Sequence, residues 1–277
     1  MHCHSLSTLA LALSLACAAP SVLAQSNPYQ KGPNPTQSSI QSDGPFSVST
    51  QNVSGSGFGG GTVYTPTAAG QYGLIAVCPG FASAQSSIAA MSRRLATHGF
   101  VVVAISTTTT LDLPGSRGNQ LLASLRATQA LRTGPVVGKI DTARMAVAGW
   151  SMGGGGTIRA VESTPTLKAG TAWAPWALSN DLNGNDTVPL AITGGSSDTV
   201  APPGTFASVF YNAMPRTTQK LLGIIRGAAH TFPTTTSEPN GFTSVAWMKR
   251  FVDNDTRYSA FLNGDSRFSE FRSSGPF

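Results

Sequence analysis

Charge is what this sequence has least of. Only 11% of its 277 residues are Asp, Glu, Lys or Arg, less than half of the roughly 25% usual in globular domains. Ser, Thr, Gly and Ala fill the gap, with no acidic or basic runs. The 18 basic and 12 acidic residues leave a surplus of +6. The basic residues are scattered along the chain, which suits solubility and surface attraction and argues against a nucleic-acid groove. No heptad pattern is sustained, so a coiled coil is excluded. Recurrent apolar runs combined with modest net charge exclude disorder for most of the chain. The length is ample for one large buried core.

Long hydrophobic runs are also missing, and the one near the start has a different meaning. The apolar stretch over residues 6–19 is too short to span a bilayer, and Val22-Leu23-Ala24 follows it with a cleavage-site pattern. Residues 1–24 therefore read as a secretory signal, with a weak n-region holding only His2 and His4. The mature chain would start at Gln25 and be extracellular or periplasmic, with no membrane association once the signal is gone. A lipoprotein reading through Cys17 is disfavoured by Ser14, which stands where a large aliphatic residue belongs. The cut also removes Cys3 and Cys17, leaving Cys78 alone, so no intramolecular disulfide is expected. With Cys78, His98 and His230 as the remaining soft ligands, no transition metal and no cofactor are implied.

What is present is an alternation. Residues 26–45, rich in Pro, Ser, Gln and Asn, are expected to run extended over the surface without joining the core. Residues 46–53 and 61–65 alternate as strands around Ser54-Gly55-Ser56-Gly57. From Leu74 onward, short apolar runs at 74–78, 100–105, 145–148, 169–173, 189–193 and 219–225 read as buried strands. Helices are expected between them at 84–97, 117–131, 152–161, 204–212 and 243–253. Strand and helix in strict alternation imply right-handed crossovers and a mostly parallel sheet flanked by helices on both faces. Residues 25–277 then form a single catalytic domain, without an internal repeat or a large lid.

The most informative segment is Gly149-Trp150-Ser151-Met152-Gly153-Gly154-Gly155-Gly156. It satisfies G-x-S-x-G between an apolar strand and a helix, as the nucleophile elbow of an α/β-hydrolase requires. Ser151 must sit in a strained turn, where side chains two residues to either side would collide with the crossing backbone. A phosphate-binding loop is the competing interpretation, but no Lys follows these glycines. Serine needs a base to take its proton, and in this fold the order is Ser, acid, His. His98 precedes Ser151 at the end of a helix, where a cap or surface role suffices. His230 follows the last expected strand and is the base by elimination. Between Ser151 and His230 the acids are Glu162, Asp181, Asp186 and Asp198. Glu162 belongs to the helix after the elbow, and Asp181 and Asp186 lie in a turn-like loop. Asp198 follows a strand through Gly194-Gly195-Ser196-Ser197 and is the preferred acid, with Asp186 second. Its task is to orient His230 and stabilise the imidazolium.

An oxyanion hole needs two backbone N–H groups aimed where charge develops. Met152, the residue after the nucleophile, supplies one. The loop Pro79-Gly80-Phe81 supplies the other from Phe81, whose phenyl ring would overhang the cleft. Cys78 cannot be a rival nucleophile, because it lies before Pro79-Gly80 and not at an elbow.

The elbow, Pro79-Gly80-Phe81 and Trp173-Ala174-Pro175-Trp176 together resemble the bacterial cutinase-like polyester hydrolases, which include enzymes that depolymerise poly(ethylene terephthalate). The likeness extends to Asn27-Pro28-Tyr29-Gln30-Lys31-Gly32-Pro33, to Arg94-Leu95-Ala96-Thr97-His98-Gly99-Phe100 and to Val245-Ala246-Trp247-Met248-Lys249-Arg250-Phe251. The resemblance implies Ser151, Asp198 and His230 as the triad and Phe81 and Met152 as oxyanion donors. It implies Trp176 as the aromatic wall beside the scissile ester, with plain core packing as the alternative. Phe81, Met152 and Trp176 would then form an apolar clamp for an acyl unit. Many relatives carry a disulfide near the C-terminus, and some PET-active ones a second that braces the acid and base loops. Here neither is available, so that loop pair is expected to be more mobile, with Phe232 substituting packing for the missing staple.

The expected activity is that of a secreted, monomeric serine esterase with a shallow, lidless cleft that meets a polyester surface. A lipase or short-chain carboxylesterase would use the same machinery. A surface-binding protein with an incidental triad is the non-enzymatic competitor.

Overall fold

The structure is a computed structural model that describes residue 1 and residues 27–177, 186–236 and 238–277. The expected signal, apart from residue 1, and Asp181 lie outside the described residues.

Nine strands form one sheet in the order β1-β2-β4-β3-β5-β6-β7-β8-β9. They are β1 (Val48–Val53), β2 (Gly61–Pro66), β3 (Tyr72–Cys78), β4 (Val101–Ile105), β5 (Ile140–Trp150), β6 (Ala169–Trp173), β7 (Leu190–Gly195), β8 (Lys220–Ile225) and β9 (Phe268–Ser273). The six central strands, β4-β3-β5-β6-β7-β8, pair in parallel. β1 and β2 at one edge and β9 at the other pair antiparallel. This is the α/β-hydrolase arrangement. Of the central strands, β3, β4, β6, β7 and β8 are buried along their whole length and β5 over its last five residues, which is why these stretches read as apolar runs.

The pleat sorts their side chains between two cores. Leu74, Ala76 and Cys78 face the same layer as α3 (Pro114–Gln129), α4 (Met152–Ser163) and α5 (Ala207–Ala213). Ile75 and Val77 face α2 (Ala89–Thr97) and α6 (Asn240–Val252). Among the described residues no helix is long and apolar enough to cross a membrane.

One expectation needs correction. The segment expected to skirt the surface contains a short helix, α1 (Gln37–Gln41), started by a reciprocal Thr36–Ser39 capping box. Its Ile40 is fully buried in the α2–α6 core. One apolar residue in a polar context carries no periodicity, so only tertiary packing specifies it. β9 carries no apolar run, because FSEFRS places Glu and Arg within the strand. As an edge strand it tolerates them on its outer side. Of the two roles expected for His98, cap or surface, it takes the first. It ends α2 as its C-cap, is 4% exposed, and its Nε2 lies 3.0 Å from the Ser42 carbonyl. Burial pushes its pKa down to about 4, against partial support from the Ser42 contact.

Candidate active site

The parallel strands end together at one rim, and the crossovers leave from that rim. The strand-to-helix turn between β5 and α4 holds Ser151 at φ +56° and ψ −121°. A non-glycine residue tolerates that conformation only where its surroundings over-determine it. The neighbouring glycines show how. A Cβ on Gly149 would lie 2.2 Å from the Gly153 carbonyl oxygen, and one on Gly153 would lie 2.4 Å from the Cys78 and Pro79 carbonyls. The Ser151 amide donates to the Trp173 carbonyl at 2.9 Å, and the Trp176 amide donates back to the Ser151 carbonyl at 3.0 Å.

Facing Ser151, the loop after β8 carries His230. The Ser151 Oγ is 2.9 Å from His230 Nε2, and His230 Nδ1 is 2.7 Å from Asp198 Oδ2. A carboxylate beside Nδ1 accepts a proton-bearing nitrogen, which leaves the Nε2 lone pair for the Ser151 hydroxyl. The other Asp198 oxygen accepts from the Val200 and Ala201 amides at 2.9 and 2.8 Å. Burial works to raise the Asp198 pKa, but the His230 hydrogen bond and these amides outweigh it and hold the carboxyl below its ordinary value. Asp198 therefore stays an anion while buried. Asp186, the other acid considered, takes no part in this chain of contacts. Its carboxyl is 1% exposed, and desolvation, then the Glu162 charge, pushes it up to about 7.

Two main-chain amides are the candidate oxyanion donors. Met152 opens α4, so its amide precedes the first intrahelical bond, with the positive end of the helix dipole behind it. The Phe81 amide has no acceptor among the described residues, whereas the next one, Ala82, donates to the Thr110 carbonyl at 2.8 Å. Gly80 brings this loop against the nucleophile: a Cβ there would lie 3.2 Å from the Ser151 Cβ. Around the donors, Phe81 is 47% and Val200 58% exposed. Met152 and Trp176 are half-buried. Trp176 packs obliquely on Phe206, with ring centroids 5.9 Å apart.

Two contacts escape a reading by motif. Trp150 fills the variable position before the serine. Its Nε1 donates to the His230 carbonyl at 2.9 Å, and its ring lies 5.6 Å from the imidazole. Phe206, which backs Trp176, is separated from it by thirty residues of sequence, and no local pattern links the two. Cys78 is fully buried at the end of β3, and desolvation pushes its thiol up to about 12 despite the nearby Arg117 charge. It holds no thiolate at neutral pH. Among the described residues no group of three or more His, Cys, Asp or Glu could hold a metal ion.

Comparison with known proteins gives this arrangement relatives. The PET hydrolase-like family model matches residues 23–275. A cutinase of Thermobifida fusca is 45% identical over 97% of this chain and 91% of its own length. Cutinase 1 of Thermobifida cellulosilytica is 46% identical over 91% of this chain and 99% of its own. A bis(hydroxyethyl) terephthalate hydrolase of Streptomyces coelicolor is 44% identical over 88% and 79% respectively. The family match covers nearly the whole chain, and this chain belongs to the PET hydrolase-like family.

Proposed function

We infer that this protein is an exported, monomeric serine esterase that hydrolyses polyesters through an acyl-enzyme. The observation that carries the reading is the Ser151 Oγ to His230 Nε2 distance of 2.9 Å, continued to Asp198 at 2.7 Å. Ser151 attacks the ester carbonyl while His230 takes its proton and passes it to the leaving alkoxide. Asp198, anionic and fixed by two amides, keeps Nδ1–H in place and offsets the imidazolium charge. The Phe81 and Met152 amides receive the tetrahedral oxyanion, a contribution of about 3 kcal/mol per donor in comparable hydrolases. Water, activated by His230, then releases the acid from Ser151.

Support for a polymeric substrate comes from the rim. Phe81, Val200, Leu111 and Leu113 are all about half exposed or more, and with Trp176 they offer apolar surface to a chain that cannot enter an enclosed pocket. The names borne by the relatives point to the same substrate class. The test compares Ser151→Ala with the parent on polyester film and on p-nitrophenyl butyrate. Loss of about 10⁴-fold or more on both is expected, and hydrolysis that survives the substitution would remove the nucleophile from the scheme. Should the parent cleave the short ester but release nothing from film, the short-chain carboxylesterase reading takes over.

A further inference from the structure

Arg117 is fully buried in the first turn of α3, and nothing in the triad chemistry uses it. Among the described residues it pairs with no carboxylate. Its Nε donates to the Asp112 carbonyl at 2.6 Å, its Nη2 to the Thr110 carbonyl at 2.8 Å and its Nη1 to the Pro79 carbonyl at 3.0 Å, with Cys78 Sγ at 4.0 Å. A buried cation met at contact distance by carbonyl dipoles, with the Asp112 charge acting from further off, is costly unless the geometry is fixed. Those carbonyls belong to two loops that meet at the oxyanion hole.

The register of these contacts is specific. Arg117 holds Pro79, the residue before Gly80. The Thr110 carbonyl that it also holds accepts the Ala82 amide at 2.8 Å. The peptides on both sides of the one carrying the Phe81 N–H are therefore tied to a single guanidinium, one directly and one through Thr110. Ala82 itself is kept at φ +52°. The Arg117 stem packs on the nucleophile helix, since a Cβ on Gly156 would lie 2.8 Å from the Arg117 Cβ. One side chain thus references the Phe81 donor to the helix that presents Ser151 and Met152.

We propose that Arg117 is a positioning residue for the oxyanion hole, setting the Phe81 amide through the Pro79 and Thr110 carbonyls. This rests on the esterase reading above. The fork is what matters: lysine keeps the charge but reaches one carbonyl in place of three.

The test measures Arg117→Lys for Tm, for kcat/KM on p-nitrophenyl butyrate, and for inhibition by an alkyl trifluoromethyl ketone, whose hemiketal oxygen stands in for the oxyanion. Expected is a folded protein whose kcat/KM falls about ten- to a hundredfold, with ketone affinity falling by the same factor. Arg144→Lys, at a buried arginine at the opposite end of β5, should lower Tm with both other readouts within about twofold. A folded Arg117→Lys that keeps kcat/KM, or loses it without losing ketone affinity, overturns the proposal. If that variant does not fold, Asp112→Ala decides. The Asp112 carboxylate holds the Thr109 amide and hydroxyl and the Gln120 amide, so its loss loosens the turn that carries the Thr110 carbonyl while Arg117 stays. Both readouts should then fall together severalfold, and no change in either refutes the link. A parent enzyme inactive on the ester would refute the esterase reading instead.

Discussion

Ser151 and Phe81 sit where main chain touches main chain, whereas Asp198 and His230 sit on loops joined chiefly by hydrogen bonds. On the nucleophile side, Gly153 lies against the Cys78 and Pro79 carbonyls, Gly155 against the Trp176 carbonyl and Gly156 against Arg117. Movement there must open a void or break several contacts at once. On the acid–base side, the Gly227 amide donates to Ser196 Oγ at 2.7 Å and the Ser197 amide to the Ala228 carbonyl at 3.0 Å. Each such bond contributes about 1 kcal/mol. The half that must hold a strained backbone is built by packing. The half that must let an imidazole take and return a proton is built by softer contacts. Phe232, two residues after His230, packs partly buried against the α2–α6 core.

Three substitutions would break or sharpen that contrast. The largest effect is expected from Gly153→Ala, whose methyl would lie 2.4 Å from two carbonyl oxygens. Circular dichroism should show a Tm lowered by more than about 10 °C, with activity on a soluble ester gone. Gly195→Ala comes next. Its methyl would lie 2.3 Å from the Ala228 carbonyl, where a few hydrogen bonds join the loops. We expect kcat/KM down about tenfold with Tm changed by only a few degrees, and a melting curve as damaged as that of Gly153→Ala would erase the distinction.

The smallest effect belongs to Asp186, on the approach to β7, whose strand leads to Asp198. Its carboxyl titrates near 7 when folded and near 3.8 as an ordinary side chain. Its contribution to stability is thus full below the lower value and is lost as pH rises through the upper one. Asp186→Asn should gain Tm relative to the parent at pH 8 more than at pH 5, with kcat unchanged at both. A matching change in kcat would show that the acid–base half feels the base of its own strand.

Much of this site could be read from residue scarcity. With one histidine after Ser151 and few acids between them, the chemistry itself selected Asp198 and His230, and the structure brings the same three side chains into contact. The parallel strands were equally legible, because burial on both faces leaves continuous apolar runs. What stayed hidden depends on long-range contacts. Ile40 is an isolated apolar residue, Trp150 reaches His230 across the rim, and the role of Arg117 lies in which carbonyls it meets. No local spacing records any of these.

The glycine run of α4 has a consequence for how the enzyme comes into being. Each glycine costs a helix about 1 kcal/mol relative to alanine, and α4 spends its first turn on four of them, Gly153 to Gly156. Such a segment has little helicity of its own and winds only once α3, β3 and β6 are there to receive it. Turnover is then a late reporter of assembly: during refolding, ester cleavage should lag the far-ultraviolet signal, and partly assembled chains should be hydrolytically silent.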